Sequence, residues 1–419
     1  MAHPVEADST RPSSASVLTR FCVTIYGLCV LAVACLLATS PVLRAIGVSD
    51  FDRLLDGTTI VLLATRLLEM LASGRISNQR GFLVALMVGG YFAAAGALNA
   101  VYNPLFQPAL LLLDGKILLL VICLWAFGDR PIVSEQLRRR WSAVLLGACI
   151  LGTALFVLTA QSGARLKLIE ESNYMIVAFS IVAIVYFTSY RSKPGSLSWF
   201  AIFGFLAVAC IVAQSRTGFA VVAGLAILHL ASRRQFKWLL TLVLISATAL
   251  LATGDEIVET VTRGSTSVDN IDRIIFLREY LAWTQSNPPA TVLFGSHVGT
   301  YLTERPLYMD FWVTKQSAQH GIPYGLAPFN FHSAYLRILA DFGVVPGLAL
   351  LVAVVALMRR SMNMLVVIVV LIAAVSMSVF YLSSIMPLLV VAQLIRPARI
   401  MVRAPTSRAV DTAQASSRM

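Results

Sequence analysis

Runs of about twenty apolar residues recur along this chain, and such a run leaves the backbone few choices. In lipid every peptide N–H and C=O must find its partner within the protein, so each run becomes a helix, and about 20 residues cross the hydrocarbon core. Twelve runs are discernible, at 21–39, 58–73, 81–98, 108–127, 141–160, 174–190, 198–213, 218–231, 238–253, 333–358, 362–379 and 382–395. Only 13% of the residues are charged and 58% are hydrophobic, whereas a soluble domain is roughly one quarter charged. The expected fold is therefore an all-α integral membrane protein with about 12 transmembrane helices. The first run has the character of a signal peptide but ends in no small-x-small cleavage site, so it reads as an uncleaved first helix after a tail at 1–20.

A formal charge of +12 is compatible with a nucleic-acid partner, but its location decides the matter. With the N-terminus inside, alternate segments place 20 of the 33 Lys and Arg residues inward and 10 outward, with Arg66, Lys116 and Arg337 within spans. This is the asymmetry that orients multispan proteins, and it explains the basicity without nucleic acid. The outer segments carry 13 acidic residues and are net negative. All six cysteines (Cys22, Cys29, Cys35, Cys123, Cys149 and Cys210) fall inside apolar runs, where they read as small packing residues, not as a disulfide framework.

Five segments follow: the inner tail at 1–20, nine spans over 21–253, an outer loop at 254–332, three spans over 333–395, and a basic inner tail at 396–419. The loop is far longer than any other connection, and a loop of that length is usually functional. Within 268–284, Ile271, Ile274, Ile275, Phe276, Leu277 and Leu281 recur at roughly helical spacing, so an amphipathic helix is expected, ended by Asn287-Pro288-Pro289.

Charges in or beside lipid are costly and therefore candidates for function. Ser215-Arg216-Thr217-Gly218 forms a tight turn between two spans and pins Arg216 at the membrane boundary. There its planar fork suits a phosphate, although a snorkelling arginine would have the same address. Arg273 and Arg278 lie on the loop helix, either as diphosphate ligands or as members of ion pairs with Asp272 or Glu279. His332 directly precedes the tenth span. The positive end of a helix dipole disfavours imidazolium and keeps a neutral base available for a sugar hydroxyl; the alternative is a polar interfacial residue. Arg337 and Asp341, four residues apart, can neutralise each other, while Arg66, Glu69, Asp114 and Lys116 read as internal pairs or as the lining of a polar cavity. Asp50 and Asp52 could hold a divalent cation, or be no more than an acidic loop.

The order of these pieces is the informative part. Ser215-Arg216-Thr217-Gly218, then Arg273, then Leu293-Phe294-Gly295-Ser296-His297-Val298-Gly299, then His332-Ser333 with Gly343 ten residues after the serine and Gly347 behind Pro346, resembles the O-antigen ligase and O-antigen polymerase superfamily. The likeness covers residues 200 to 358. It implies a bacterial inner-membrane glycosyltransferase with both termini cytoplasmic and a catalytic periplasmic loop between helices 9 and 10. Its donor would be a glycan on undecaprenyl diphosphate. The acceptor would be a lipid A core, or a second lipid-linked glycan if the enzyme is a polymerase, and no metal or other cofactor is needed. Carried over by position, Arg216 and Arg273, with Arg278 as a substitute for the latter, would bind the diphosphate, and His332 would act on the acceptor hydroxyl. The family gives Asp50 and Asp52 no metal-binding role. A transporter using Arg66, Lys116, Arg337 and Asp341 as a polar pathway is the competing class.

Overall fold

In the computed structural model the described residues are 14–48, 51–74, 79–128, 133–159, 166, 168–169, 172–190, 196–232, 234–235 and 272–396. They are predominantly helical, with no strands among them. In chain order the first nine helices are α1 (Ser14–Ala45), α2 (Phe51–Ser73), α3 (Gln79–Tyr102), α4 (Pro108–Asp114), α5 (Lys116–Ala126), α6 (Glu135–Thr159), α7 (Ser172–Tyr190), α8 (Leu197–Ala213) and α9 (Arg216–Ser232). The loop contributes α10 (Asp272–Ser286), α11 (Pro289–Phe294) and α12 (Asp310–His320), and the chain closes with α13 (Ala334–Phe342), α14 (Val344–Ser361), α15 (Met364–Ser376) and α16 (Ile385–Ile395). The ninth apolar run, at 238–253, and the first part of the loop lie outside the described residues.

Six stretches among the described residues are long and apolar enough to cross a membrane: Val17–Ala45, Gln79–Tyr102, Pro108–Ala126, Glu135–Thr159, Asn173–Tyr190 and Val344–Ser361. Four shorter apolar helices accompany them. Helix α2 has the length but carries Asp56, Arg66 and Glu69, which are all neutralised locally. Arg66 bonds Glu69 at 2.8 Å, Tyr26 Oη donates to the same carboxylate at 2.9 Å, and Lys116 meets Asp56 at 3.3 Å. Arg66 and Glu69 pair as expected, whereas Lys116 takes Asp56 from the segment expected to be an outer loop, and Asp114 finds its partner, Arg337, far along the chain.

Helices α7 and α16 form the centre. Every residue of α16 from Ile385 to Ile395 is buried, and α7 is buried on nearly all sides. A helix that is apolar all round must be enclosed by others; α7 packs against α6, α8, α9, α15 and α16. Five of the six cysteines are buried in this apolar interior; Cys35 is exposed on α1.

The tenth run does not fold as the single helix expected over 333–358. It breaks at Gly343, where φ is +77°, into α13 and α14. A Cβ at Gly343 would lie 2.8 Å from the Gly295 carbonyl oxygen and 3.0 Å from that of Leu293. Only glycine combines this left-handed backbone with so close an approach of the loop. The run at 108–127 is likewise interrupted, at Gly115.

The loop docks on this break. Gln107 N–H donates to the Gly299 carbonyl at 2.8 Å, and the Asn99 side-chain amide donates to the carbonyls of Ser296 and Val298. Helix α10 overlaps the stretch expected to be helical, 268–284, and ends two residues beyond it at Ser286, where Asn287 Nδ2 donates to the Trp283 carbonyl at 2.8 Å. Its packed face differs from the one expected. Phe276, Glu279, Tyr280 and Trp283 are buried, while Leu277 and Leu281 are 45% and 46% exposed. Aromatic packing against Phe331 and Trp312 and capture of the Glu279 carboxylate set the rotation of the helix. Glu279 accepts hydrogen bonds from the backbone N–H groups of Leu307, Tyr308 and Met309 at 3.0, 2.5 and 3.0 Å. This carboxylate organises the loop backbone, and three charge-assisted bonds satisfy a charge that would otherwise be costly to bury.

Candidate functional site

The site is built around the first turn of α7. Upstream of it, Arg44 at the end of α1 donates from Nε and Nη2 to the carbonyls of Leu168 and Ile169 at 2.6 and 2.7 Å, and Leu166 N–H donates to the Val212 carbonyl. The chain therefore enters α7 beside the end of α8.

Helix α8 stops at Gln214, whose φ of +48° turns the backbone out of the helix. Ser215 then caps α9. Its fully buried Oγ accepts from Gly218 N–H at 2.9 Å and donates to Asn173 Oδ1 at 2.6 Å, so one hydroxyl ends the turn and anchors it to α7. A Cβ at Gly218 would lie 2.7 Å from that Oγ and 3.0 Å from Ile176, so position 218 has room for no side chain. Arg216 is the first residue of α9, and its side chain lies outside the described residues. The N-terminus of a helix presents free N–H groups and the positive end of its dipole, a natural seat for an anion.

The next residue of α7, Tyr174, approaches His332. Its Oη lies 3.5 Å from His332 Nδ1. His332 is half-buried and held on three further sides. Gln316 Nε2 is 3.1 Å from its Nε2, the Phe276 ring stacks on it at 5.2 Å, and Trp312 meets it edge-on at 5.6 Å. The backbone beneath is tied to the end of α15. Ala334 N–H donates to the Met377 carbonyl at 3.1 Å, Ser378 Oγ to the Phe331 carbonyl at 2.8 Å, and Ser333 Oγ to the Ala374 carbonyl at 3.4 Å.

Phe276 also locates the remaining candidates. Position 273 precedes it by three residues on α10 and so falls on the same side of the helix; the Arg273 side chain itself lies outside the described residues. Arg278, two positions past Phe276, is exposed on the opposite side. The backbone positions of Arg216 and Arg273 are thus linked to His332 through Asn173, Tyr174 and Phe276, while Arg278 lies on the exposed side of α10. Asp52 is exposed in the first turn of α2, and Asp50 lies outside the described residues. Among the described residues no group of three His, Cys, Asp or Glu side chains is arranged to hold a metal ion.

No family model, no curated protein and no solved structure matches the chain. Its functional reading therefore rests on what this centre can do chemically. A helix N-terminus with an arginine at its first position can accept a phosphate, and an imidazole bonded to an amide and a tyrosine hydroxyl can accept a proton.

Two features beside the centre could not be read from local spacing. The first is a buried ion assembly. Arg337 Nη2 donates to Asp114 Oδ1 at 3.2 Å and to the Leu113 carbonyl at 3.0 Å, and Arg337 Nε is 3.9 Å from Asp341. Tyr381 Oη donates to Asp341 at 2.8 Å, and the Tyr381 ring lies 3.6 Å from the guanidinium carbon. Gly299 N–H donates to the other Asp114 oxygen at 2.9 Å. The pairing of Arg337 with Asp341 suggested by their spacing is thus only part of an assembly whose closest charge contact spans 223 residues. Its sequence signal was no more than isolated opposite charges in two apolar runs.

The second is His297. Burial pushes its imidazole down to about 4. Neither ring nitrogen has a hydrogen-bond partner among the described residues, and Trp283 meets the ring edge-on at 5.2 Å. At neutral pH it is an uncharged packing group.

Proposed function

We propose that the protein is a membrane glycosyltransferase of the O-antigen ligase type. It moves a glycan from undecaprenyl diphosphate to a sugar hydroxyl on a lipid A core, at the periplasmic face of a bacterial inner membrane. In this reading the chain crosses the membrane twelve times, with both termini cytoplasmic. The observation that carries the proposal is the junction at the start of α7, where the Ser215 turn bonds Asn173 and His332 meets the adjacent Tyr174. Two segments some 115 residues apart, each singled out by its residue types, share one anchoring point.

In the reaction, Arg216 and Arg273 with the α9 N-terminus bind the diphosphate and stabilise the charge that develops on it, the task a metal performs in other transferases. The acceptor O–H bond breaks and its proton passes to His332. The oxygen bonds to the anomeric carbon from the face opposite the diphosphate, and the sugar–phosphate C–O bond breaks with its electron pair remaining on the leaving group. The anomeric configuration inverts.

The negative balance of the outer segments favours a second acceptor, another lipid-linked repeat unit, which would make the enzyme a polymerase. A phosphorylated core would be better met by excess cations. The internal pairing of Arg66, Lys116 and Arg337 speaks against a transporter, because those charges are engaged with Glu69, Asp56 and Asp114.

The test is glycan transfer between defined lipid carriers by purified protein in detergent, with chelator present and no ATP or ion gradient. Wild type is expected to transfer; His332→Ala and Arg216→Ala are expected to lose at least roughly a hundredfold in rate. Transfer that survives His332→Ala overturns the mechanism. In a deletion strain, short glycan still attached to lipid A identifies a polymerase, and loss of all attached glycan identifies a ligase.

A further inference from the structure

We infer that Asn330 and Gln316 form a directed relay that holds His332 as the neutral tautomer protonated on Nδ1, which keeps Nε2 as its proton acceptor. The inference rests on the proposed role of His332, but its central claim is a protonation state that can be read without any reaction.

The direction of the relay follows from one group that cannot reverse. A backbone N–H only donates, and Ala327 N–H points at Asn330 Oδ1 at 2.5 Å. That oxygen is therefore the carbonyl end of the Asn330 amide, and the Nδ2 end must be the donor in the 2.5 Å bond to Gln316 Oε1. With Oε1 accepting, Gln316 presents its Nε2–H group to His332 Nε2 at 3.1 Å. Two N–H groups cannot face one another, so His332 Nε2 carries no proton and accepts. The single imidazole proton is then on Nδ1, directed at Tyr174 Oη. Both amides are enclosed, Asn330 fully and Gln316 at 8% exposure, so water does not readily scramble the sequence of bonds. Asn330 N–H returns a bond to the Ala327 carbonyl at 3.0 Å, which fixes the origin of the relay in a closed turn.

The consequence for catalysis is specific. At rest the Gln316 amide occupies the lone pair that a general base must offer, donating to it as a substrate hydroxyl would. In the reaction the acceptor O–H replaces that N–H as donor and transfers its proton to Nε2. The oxygen bonds to the anomeric carbon as the phosphate C–O bond breaks, and His332 becomes imidazolium with Tyr174 on its Nδ1–H. Gln316 and Asn330 are thus positioning residues: they choose the tautomer and take no proton themselves.

The experiment is nitrogen NMR on the full-length protein in detergent at neutral pH with ¹⁵N-labelled histidine, the His332 signals being assigned by their absence in His332→Asn. The relay predicts an unprotonated Nε2 and a protonated Nδ1. Finding the Nε2–H tautomer or imidazolium instead overturns it, whatever any variant does. Gln316→Met, which can neither donate nor accept through an amide, is expected to release the lock and give a mixture of tautomers, and Asn330→Ala to do the same without touching His332. In the transfer assay kcat should then fall severalfold, in proportion to the lost Nδ1–H fraction, while KM for the lipid donor stays unchanged. A variant that folds and keeps the wild-type tautomer overturns its place in the relay. Wild-type protein with the predicted tautomer but no transfer activity would overturn the proposed function and leave the relay standing; transfer by a protein in the Nε2–H form would do the reverse.

Discussion

The Arg337 assembly and the His332 pocket are both polar clusters enclosed by apolar helices, yet they are built on opposite principles. Around Arg337 the groups are ionic: Asp114 and Asp341, with Tyr381, the Leu113 carbonyl and Gly299 N–H completing the shell. Around His332 four of the partners are neutral groups: Gln316, Tyr174, Phe276 and Trp312. A buried charge is tolerable when its attraction is spent on fixed partners, which makes it a structural clamp. A base that must accept a proton is better surrounded by groups that orient it without competing for that proton. The difference separates charges that hold the loop in place from the residue proposed to react.

The sharpest way to break the comparison is to remove one ionic partner. Asp114→Ala leaves Arg337 short of its nearest carboxylate in a dry setting, with an expected cost of about 3–5 kcal/mol. Solubilised protein should lose its monodisperse folded peak or melt far lower, and a near-wild-type melting curve would show that the assembly is not a clamp. Glu279→Ala should come next, at about 3 kcal/mol, because three backbone N–H groups lose their acceptor at once. Its signature would be local, with the 300–310 segment becoming sensitive to protease before the bundle melts.

A smaller effect should appear on acidification. His297 has its folded pKa pushed down to about 4 from an ordinary 6.5, so the unfolded chain binds the proton first. Its stabilising contribution is complete above about 6.5 and is lost progressively as the pH falls towards 4, by about 2.5 kcal/mol over that window. The difference in melting temperature between wild type and His297→Asn should shift in that direction across the window, and a pH-independent difference would contradict the burial argument. The smallest expected change is Ser215→Ala, about 1 kcal/mol for a lost helix cap. Because the same hydroxyl bonds Asn173, this variant should impair transfer more than its small stability loss suggests, sharpening the contrast between clamp and site.

Much of this was legible along the chain. Among the described residues each hydrophobic run coincides with helix, since the backbone in lipid has no alternative, although α1 and α2 begin seven residues before their runs and two runs are each split in two. The turn at 215–218 stood out because three polar residues and a glycine interrupt two apolar helices, and His332 stood out at the foot of another. The break at Gly343 was hidden because the run is apolar on both sides of it; its cause is the Gly295 carbonyl lying against it, a contact made 48 residues away. The rotation of α10 was misread for a related reason. Leu277 and Leu281 look like core residues by periodicity, but Phe276, Tyr280 and Trp283 have aromatic partners and Glu279 has three N–H groups to satisfy.

The sequence by itself determined that this chain is a helical membrane protein, and it singled out Arg216, Arg273 and His332. Those conclusions depend on local chemistry, on the cost of leaving a peptide group unpaired in lipid and of placing a charge beside it. Only the tertiary structure decided that Asn173 and Tyr174 bring the Ser215 turn and His332 to one helix end, that Asp114 answers Arg337, and that Asn330 reaches His332 through Gln316. Such choices are made between groups far apart in the chain, where hydrogen-bond direction and burial select one partner among many and residue spacing carries no trace of the choice.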